Sequence, residues 1–203
     1  SSAAVYKPKN ELINEDDLKE PTSVYGTTKL MFEQIMKSFS ETYGINSVSL
    51  RYFNAYGSFE NLGERHNPET HLIPLAILTA LGKKDNIKIY GTDYETYDKT
   101  CIRDYIHVRD LAEAHLLVLE NITPGFNAYN LGTGHGISVR EVINGVKNIS
   151  GADFKIIESP RRLGDPSILV ADASKIEDDF GWHPKISLKE GLKETIEYFK
   201  GVL

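Results

Sequence analysis

The sequence predicts an α/β protein organised on a parallel sheet with crossover helices. Three observations carry that expectation. Strand-patterned and helix-patterned segments alternate along most of the chain, as a sheet of parallel strands joined by helical crossovers requires. The composition is globular, with 40% hydrophobic and 26% charged residues and only 16 Gly and 8 Pro among 203 residues, and no fixed-period repeat or low-complexity tract interrupts it. Helix-start signals recur, among them two Ser-x-x-Glu capping boxes. The length suits one domain or two small ones.

The elements follow in order. Thr22 or Ser23 caps a helix that begins near Val24 and carries Leu30, Met31, Ile35, Met36 and Phe39 at helical spacing until Gly44 stops it. Its apolar stripe is wide enough to face both a sheet and a partner helix. Residues 47–53 alternate, with Val48, Leu50 and Tyr52 on one face, and read as a strand. Pro74 at position N1 starts a helix ending at Gly82, and residues 87–90 and 128–131 read as strands around a helix over 110–121. Ser138 with Glu141, and Ser187 with Glu190, then open two further helices.

Charge and composition exclude several function classes. Lys and Arg total 23 against 29 Asp and Glu, for a net charge of −6, which is the wrong sign for a phosphate-led nucleic-acid binder. The longest apolar run, residues 72–81, is broken by Pro74 and Thr79 and is about half the ~20 residues of a membrane span. Cys101 stands alone, so no internal disulfide forms and a reducing cytoplasm is the expected compartment. The 6 histidines show no metal-ligand spacing, and no metal is expected.

Tyr25 and Lys29, four apart on the first helix, share a face on which an ammonium can lower the pKa of a phenol. A tyrosine base working near pH 7 must come down roughly 3 units, about 4 kcal/mol of preferential phenolate stabilisation. Chance produces about one such pair in a chain of this composition, and alone it reads as a surface pair. Its surroundings raise its weight. Ser1-Ser2-Ala3-Ala4-Val5-Tyr6 precedes it, and Pro21-Thr22-Ser23-Val24-Tyr25-Gly26-Thr27-Thr28-Lys29 is followed by Arg51-Tyr52-Phe53-Asn54. Further on come the segment from Lys99 through Arg103-Asp104-Tyr105-Ile106-His107-Val108, then Tyr129-Asn130-Leu131-Gly132-Thr133-Gly134, then Arg161-Arg162-Leu163-Gly164-Asp165-Pro166. In this order the motifs resemble the UDP-glucose 4-epimerases of the extended short-chain dehydrogenase/reductase family, and the resemblance runs nearly end to end.

The resemblance implies the remainder of a Rossmann-like parallel-sheet domain in residues 1–57. Residues 58–203 are then mainly a smaller mixed α/β substrate-binding domain, with some segments returning to the Rossmann sheet. It implies NAD-dependent inversion of the C4 hydroxyl of a UDP-hexose through a 4-keto intermediate, in galactose metabolism. Ser2 matches the serine on the sugar 4-hydroxyl, Tyr25 the base, and Lys29 the lysine on the nicotinamide ribose; Tyr52 joins Tyr25 and Lys29 as cofactor-binding. Asn54, His71, Leu72, Arg103, Arg162, Asp165 and Leu169 match substrate-binding positions, with the arginines on the diphosphate and Asp165 on a ribose. The residue types agree, since guanidinium forks suit phosphates and a carboxylate suits a diol. The family further implies a homodimer.

The sequence departs from the family at Lys7, where glycine usually follows Val-Tyr, and the stretch between the serine and tyrosine motifs is slightly short. Leu169 leaves the choice between hexose and N-acetylhexosamine open. Gly132-Thr133-Gly134-His135-Gly136 imitates a dinucleotide loop, with Glu158 expected beyond the next strand, but the third glycine position holds Ile137, so it reads as a strand-to-helix turn. The family's own cofactor loop lies near its N-terminus. The chain, starting without Met at the serine motif, is therefore expected to be a C-terminal portion that associates with an N-terminal segment and does not retain NAD alone. A 4,6-dehydratase, or a UDP-sugar-binding module without turnover, are the alternatives. Dehydratases and decarboxylases carry an acid where this chain has Ala3 and Ala4, which favours epimerisation.

Overall fold

A computed structural model describes residues 1–203. The chain opens on a single 3-10 turn, Ala3–Val5, capped by Ser2, and reaches helix α1 (Val24–Tyr43) after a segment with little regular structure. Ser23 Oγ accepts from the Gly26 N–H at 3.0 Å, and Gly44, with φ of 68°, closes the helix. Both ends are where the sequence puts them. There follow β1 (Ser47–Tyr52), β2 (Asn54–Tyr56), a hairpin of β3 (Ser58–Phe59) and β4 (Leu62–Gly63), and α2 (Leu72–Ala80). Then come β5 (Asn86–Tyr90), β6 (Ile102–His107), α3 (Val108–Glu120), β7 (Phe126–Leu131), β8 (Gly136–Ser138) and α4 (Val139–Ser150). The chain ends with β9 (Lys155–Ser159), β10 (Ile168–Leu169), α5 (Ser174–Phe180) and α6 (Leu188–Val202).

Parallel pairing predominates, as expected for the α/β class. β1 runs beside β7 from Ser47 opposite Phe126 to Tyr52 opposite Leu131. β6 is flanked by β2 and β10 in parallel and meets β8 antiparallel, while β5 pairs with β9. The β1–β7 and β5–β9 ladders pack in separate cores, and the β6 ladder contributes to both. Leu50, Leu111, Val118, Leu131, Ile176 and Trp182 pack β1 and β7 against α3 and α5. A second cluster, including Ile73, Ile77, Ile89, Ile143, Leu192 and Ile196, joins α2, α4 and α6 to β5.

Four details correct the sequence reading. α2 starts at Leu72, so Pro74 is its third residue; any first-turn N–H lacks an intrahelical partner, and proline is tolerated there. α3 starts at Val108 because His107 caps it, its Nδ1 accepting from the Arg109 N–H at 3.2 Å. Ser138 and Glu141 form both halves of their capping box, whereas Ser187 makes only the bond from the Glu190 N–H. Glu158 lies inside β9, opposite Ile89, rather than beyond a strand.

The largest correction concerns α1, most of whose apolar stripe faces away from the core, Leu30 alone packing against the cluster around Val5 and Phe53. Its buried residues are Gly26, Glu33 and Ser40, while Met31, Phe32, Ile35 and Phe39 are 55%, 59%, 50% and 51% exposed. An ion pair holds the sheet side instead. Arg51 in β1 meets Glu33 at 2.6 Å and donates to the Tyr6 hydroxyl at 2.6 Å, which donates to Asn130 Oδ1 in β7 at 2.7 Å. The Asn130 N–H in turn reaches Glu15 Oε1 at 2.7 Å. Burial alone would push the Glu33 carboxyl up, but hydrogen bonds from Arg51 and Ser1 reverse this and hold it below its ordinary value.

Burial lowers the pKa of the His107 imidazole, with Glu194 and Asp110 opposing the shift. The unfolded chain, with histidine near 6.5, therefore binds a proton more readily than the folded one, so this contribution is full above that pH and is lost as pH falls through it. The urea midpoint is expected to drop between pH 7 and pH 5.5, and His107→Asn, which keeps a capping side chain, to flatten that slope. Equal slopes in parent and variant would contradict this.

Candidate active site

Two neighbouring clefts meet beside the carboxyl ends of β1 and β2. The larger, of about 780 Å³, is lined by Ser2, Tyr25, Tyr52, Asn54, His71 and Arg109 among others. The smaller, of about 470 Å³, takes Leu72, Tyr90, Arg103, Arg162 and Asp165, and Asn54 and His71 line both. Of the residues singled out from the sequence, Lys29 and Leu169 line neither cleft. Lys29 Nζ is 5.4 Å from the Tyr25 ring centroid, so the pair does share one face of α1. Leu169 packs instead against the small cluster of Ala3, Val5, Phe53 and Ala171.

The parallel register of β1 brings Ser2 beside Tyr52, and Ser2 Oγ accepts from the Ala4 N–H at 3.2 Å. At Gly26 a side chain would collide with the Ala4 carbonyl, so glycine lets α1 approach the serine turn one residue after Tyr25. Lys7, the departure in that turn, pairs with Glu20 at 3.2 Å on the surface. The Tyr52 hydroxyl lies 2.6 Å from His115 Nε2, and His115 Nδ1 lies 2.6 Å from the Leu111 carbonyl. A carbonyl only accepts, so Nδ1 carries the hydrogen and Nε2 accepts from Tyr52. Burial raises the Tyr52 phenol. No sequence signal marked His115, which is 63 residues from its partner.

In the smaller cleft Arg103 is buried, with Nη2 on Asp165 Oδ1 at 2.7 Å and Nη1 on the Ile102 carbonyl at 2.8 Å. Arg162 is exposed and lies over the Tyr90 ring at 4.1 Å. Two guanidinium groups, a carboxylate and an aromatic face in one cleft suit an anionic, ring-bearing ligand. Tyr90, like His115, went unmarked in the sequence.

The turn after β7 cannot cradle a phosphate. Asp104, fully buried, accepts from the Thr133 N–H at 2.7 Å, the Thr133 hydroxyl at 2.7 Å and the Gly134 N–H at 3.0 Å, and the His135 N–H goes to Thr133 Oγ1. Burial pushes the Asp104 carboxyl up, against the pull of these bonds. The amides a phosphate would need are engaged, and a carboxyl stands in the anion's place. Glu158 pairs with Arg140 at 3.1 Å.

Between β4 and α2, Glu64, His66, Glu69 and His71 bring four potential ligand atoms within 4.8 Å of one another. The expectation of no metal-ligand spacing among the histidines overlooked this group, because half its donors are glutamates. No helix is long and apolar enough to cross a membrane.

Residues 1–132 match the family model described as NAD dependent epimerase/dehydratase family. The UDP-glucose 4-epimerase of Lacticaseibacillus casei is 42% identical over 200 residues, covering 96% of this chain and 60% of the relative. The crystal structure of UDP-glucose 4-epimerase from Bifidobacterium longum in complex with NAD+ and UDP superposes with a TM-score of 0.93 at 38% identity, over 99% of this chain and 62% of that one. The UDP-Glc/GlcNAc 4-epimerase from Campylobacter jejuni gives 0.79 at 40% identity, over 98% and 62%. The chain thus spans about three fifths of the length of the curated relatives it matches.

Proposed function

The chain belongs to the NAD dependent epimerase/dehydratase family, and from that premise we propose that the enzyme containing it inverts the C4 hydroxyl of a UDP-hexose, interconverting UDP-glucose and UDP-galactose. One observation carries the proposal: Ser2 and Tyr25 stand in one cleft, Arg103, Arg162 and Asp165 in the next, and Asn54 and His71 line both. In this reading the diphosphate sits at the guanidinium end and the hexose ring at the phenol.

In this reading Tyr25 takes the proton of the sugar 4-hydroxyl and returns it after the ring has turned, while Ser2 orients that hydroxyl and Lys29 stabilises the phenolate. Arg103 and Arg162 hold the diphosphate as the 4-keto sugar swings to present its other face, and Asp165 takes a ribose diol. NAD, when bound, supplies a reversible hydride acceptor for C4. Tyr25, Lys29 and Tyr52 fit its nicotinamide end. Residues 132–136 take no part, their amides being engaged, so the chain's own residues offer NAD too few contacts for tight retention, and micromolar NAD binding abolished by substitution at Gly134 would contradict this.

Residues 1–57, with β7 and its neighbours, form the dinucleotide side of the enzyme in this reading, and most of 58–203 the sugar side. The exposed apolar row of α1, Phe32, Ile35 and Phe39, pairs with a second copy in a homodimer, for which a concentration-independent monomer mass would be contrary. The buried, unpaired Cys101 suits a reducing cytoplasm. Leu169 lines neither cleft, and N-acetylated sugars remain a substrate class for direct assay.

Conversion of UDP-galactose to UDP-glucose tests the proposal. A 4-keto-6-deoxy product would make the enzyme a dehydratase, the reading that Ala3 and Ala4 disfavour. For Arg162→Ala, UDP affinity is expected to fall by roughly 2 kcal/mol, within the ~1.5–3 kcal/mol of charge-assisted contacts, and the loss to shrink as salt rises. Unchanged affinity by calorimetry would leave Arg162 a surface charge stacked on Tyr90.

A further inference from the structure

We propose that Glu64, His66, Glu69 and His71 form a site for one divalent transition-metal ion of the zinc class, in the loop between β4 and α2. His66 Nδ1 lies 2.6 Å from Glu64 Oε1, and His71 Nδ1 lies 2.8 Å from that same oxygen and 2.9 Å from Glu69 Oε1. An imidazole Nδ1 carries at most one hydrogen, which points at one acceptor. Two carboxylate oxygens, from Glu64 and Glu69, nevertheless converge on His71 Nδ1. A cation among the four donors satisfies them together, where protons satisfy them only in part.

Geometry and charge agree with this. Four-coordinate zinc takes imidazole nitrogen and carboxylate oxygen at ~2.0–2.2 Å, so its ligand atoms stand about 3.3–3.5 Å apart, within the 4.8 Å already spanned. Small rotamer changes that spread the closest pairs complete the site. Two neutral imidazoles and two carboxylates balance a divalent charge, and the mixed N/O set suits a zinc-class ion better than the all-oxygen sites of calcium or magnesium. The Glu69 side chain is only 8% exposed, and its Oε1 accepts the Thr70 and His71 N–H groups at 2.7 Å each. Those amides orient the carboxylate from behind, as outer-shell partners do in metal sites. Glu69 and His71 line the smaller cleft, and Glu64, His66 and His71 the larger. The ion would therefore pin the rim where the clefts join, whatever the reaction performed there.

Chelator-stripped protein titrated with Co²⁺ is the test. The expected result is one equivalent bound, with the intense visible absorption of tetrahedral Co²⁺, displaced by Zn²⁺ and not by Mg²⁺. His66→Ala, at an exposed position, and Glu64→Gln, at a half-buried one, should each weaken binding at least roughly tenfold, while His183→Ala, at an exposed histidine outside the group, leaves it unchanged. An octahedral spectrum, or His66→Ala binding Co²⁺ as tightly as the parent, would overturn the assignment.

Discussion

Tyr25→Phe is expected to lower turnover of UDP-galactose by roughly 10²–10⁴-fold, the contribution typical of a positioned acid–base group, while leaving UDP binding within a few-fold of the parent. The substitution removes one oxygen and nothing else. The ring keeps its place on the first turn of α1, and the face that Lys29 Nζ approaches at 5.4 Å is retained. The groups proposed to hold the diphosphate line the other cleft, so the defect should fall on kcat and on kcat/KM alike, as for an interaction made only in the transition state. Turnover close to the parent's would remove Tyr25 from the chemistry and leave the cleft a binding site.

Arg51→Ala is expected to cost about 3–5 kcal/mol of folding stability, the usual penalty for deleting one member of a buried ion pair. That is a large share of the ~5–15 kcal/mol that holds most domains together. Arg51 and Glu33 are each 4% exposed at the side chain. Without the guanidinium, the buried Glu33 carboxylate keeps Ser1 Oγ as its hydrogen-bond donor but loses its bidentate partner, and the Tyr6 hydroxyl loses a donor. The double variant Arg51→Met with Glu33→Leu should recover much of the loss, because two apolar side chains of similar size need no partner. Urea unfolding measures both. A single-variant cost under about 1 kcal/mol would be the value of an exposed pair and would mean that water reaches the site.

The ends of α1 were legible because capping is local: Ser23 needs only the Gly26 N–H, and Gly44 only its own backbone freedom. β1 was legible through its two-residue alternation. The orientation of α1 was not, because Leu30, Met31, Ile35 and Phe39 mark an apolar face without saying whether the sheet covers it, and the sheet side is held by Glu33 and Arg51, 18 residues apart. In the candidate site, residue types and order made the serine, tyrosine and arginine positions visible through family resemblance. Their partners were hidden. Asp165 reaches Arg103 across 62 residues and Asp104 reaches Thr133 across 29, pairings that only the packing of β6 against its neighbours creates. The Glu64 to His71 group escaped notice for the opposite reason: it is local, but its convergence depends on the path of a loop that no periodicity describes.

The most direct measurement is the fate of the C4 hydrogen when the enzyme containing this chain acts on UDP-galactose in deuterated water with NAD present. Reversible oxidation at C4 with the hydride returned to the opposite face predicts UDP-glucose carrying ordinary hydrogen at C4, with no solvent deuterium on any sugar carbon. Deuterium at C4, or at C5 with loss of the 6-hydroxyl, would show that the proton chemistry lies elsewhere and would contradict the assignment of Tyr25 and Ser2 to a simple C4 inversion.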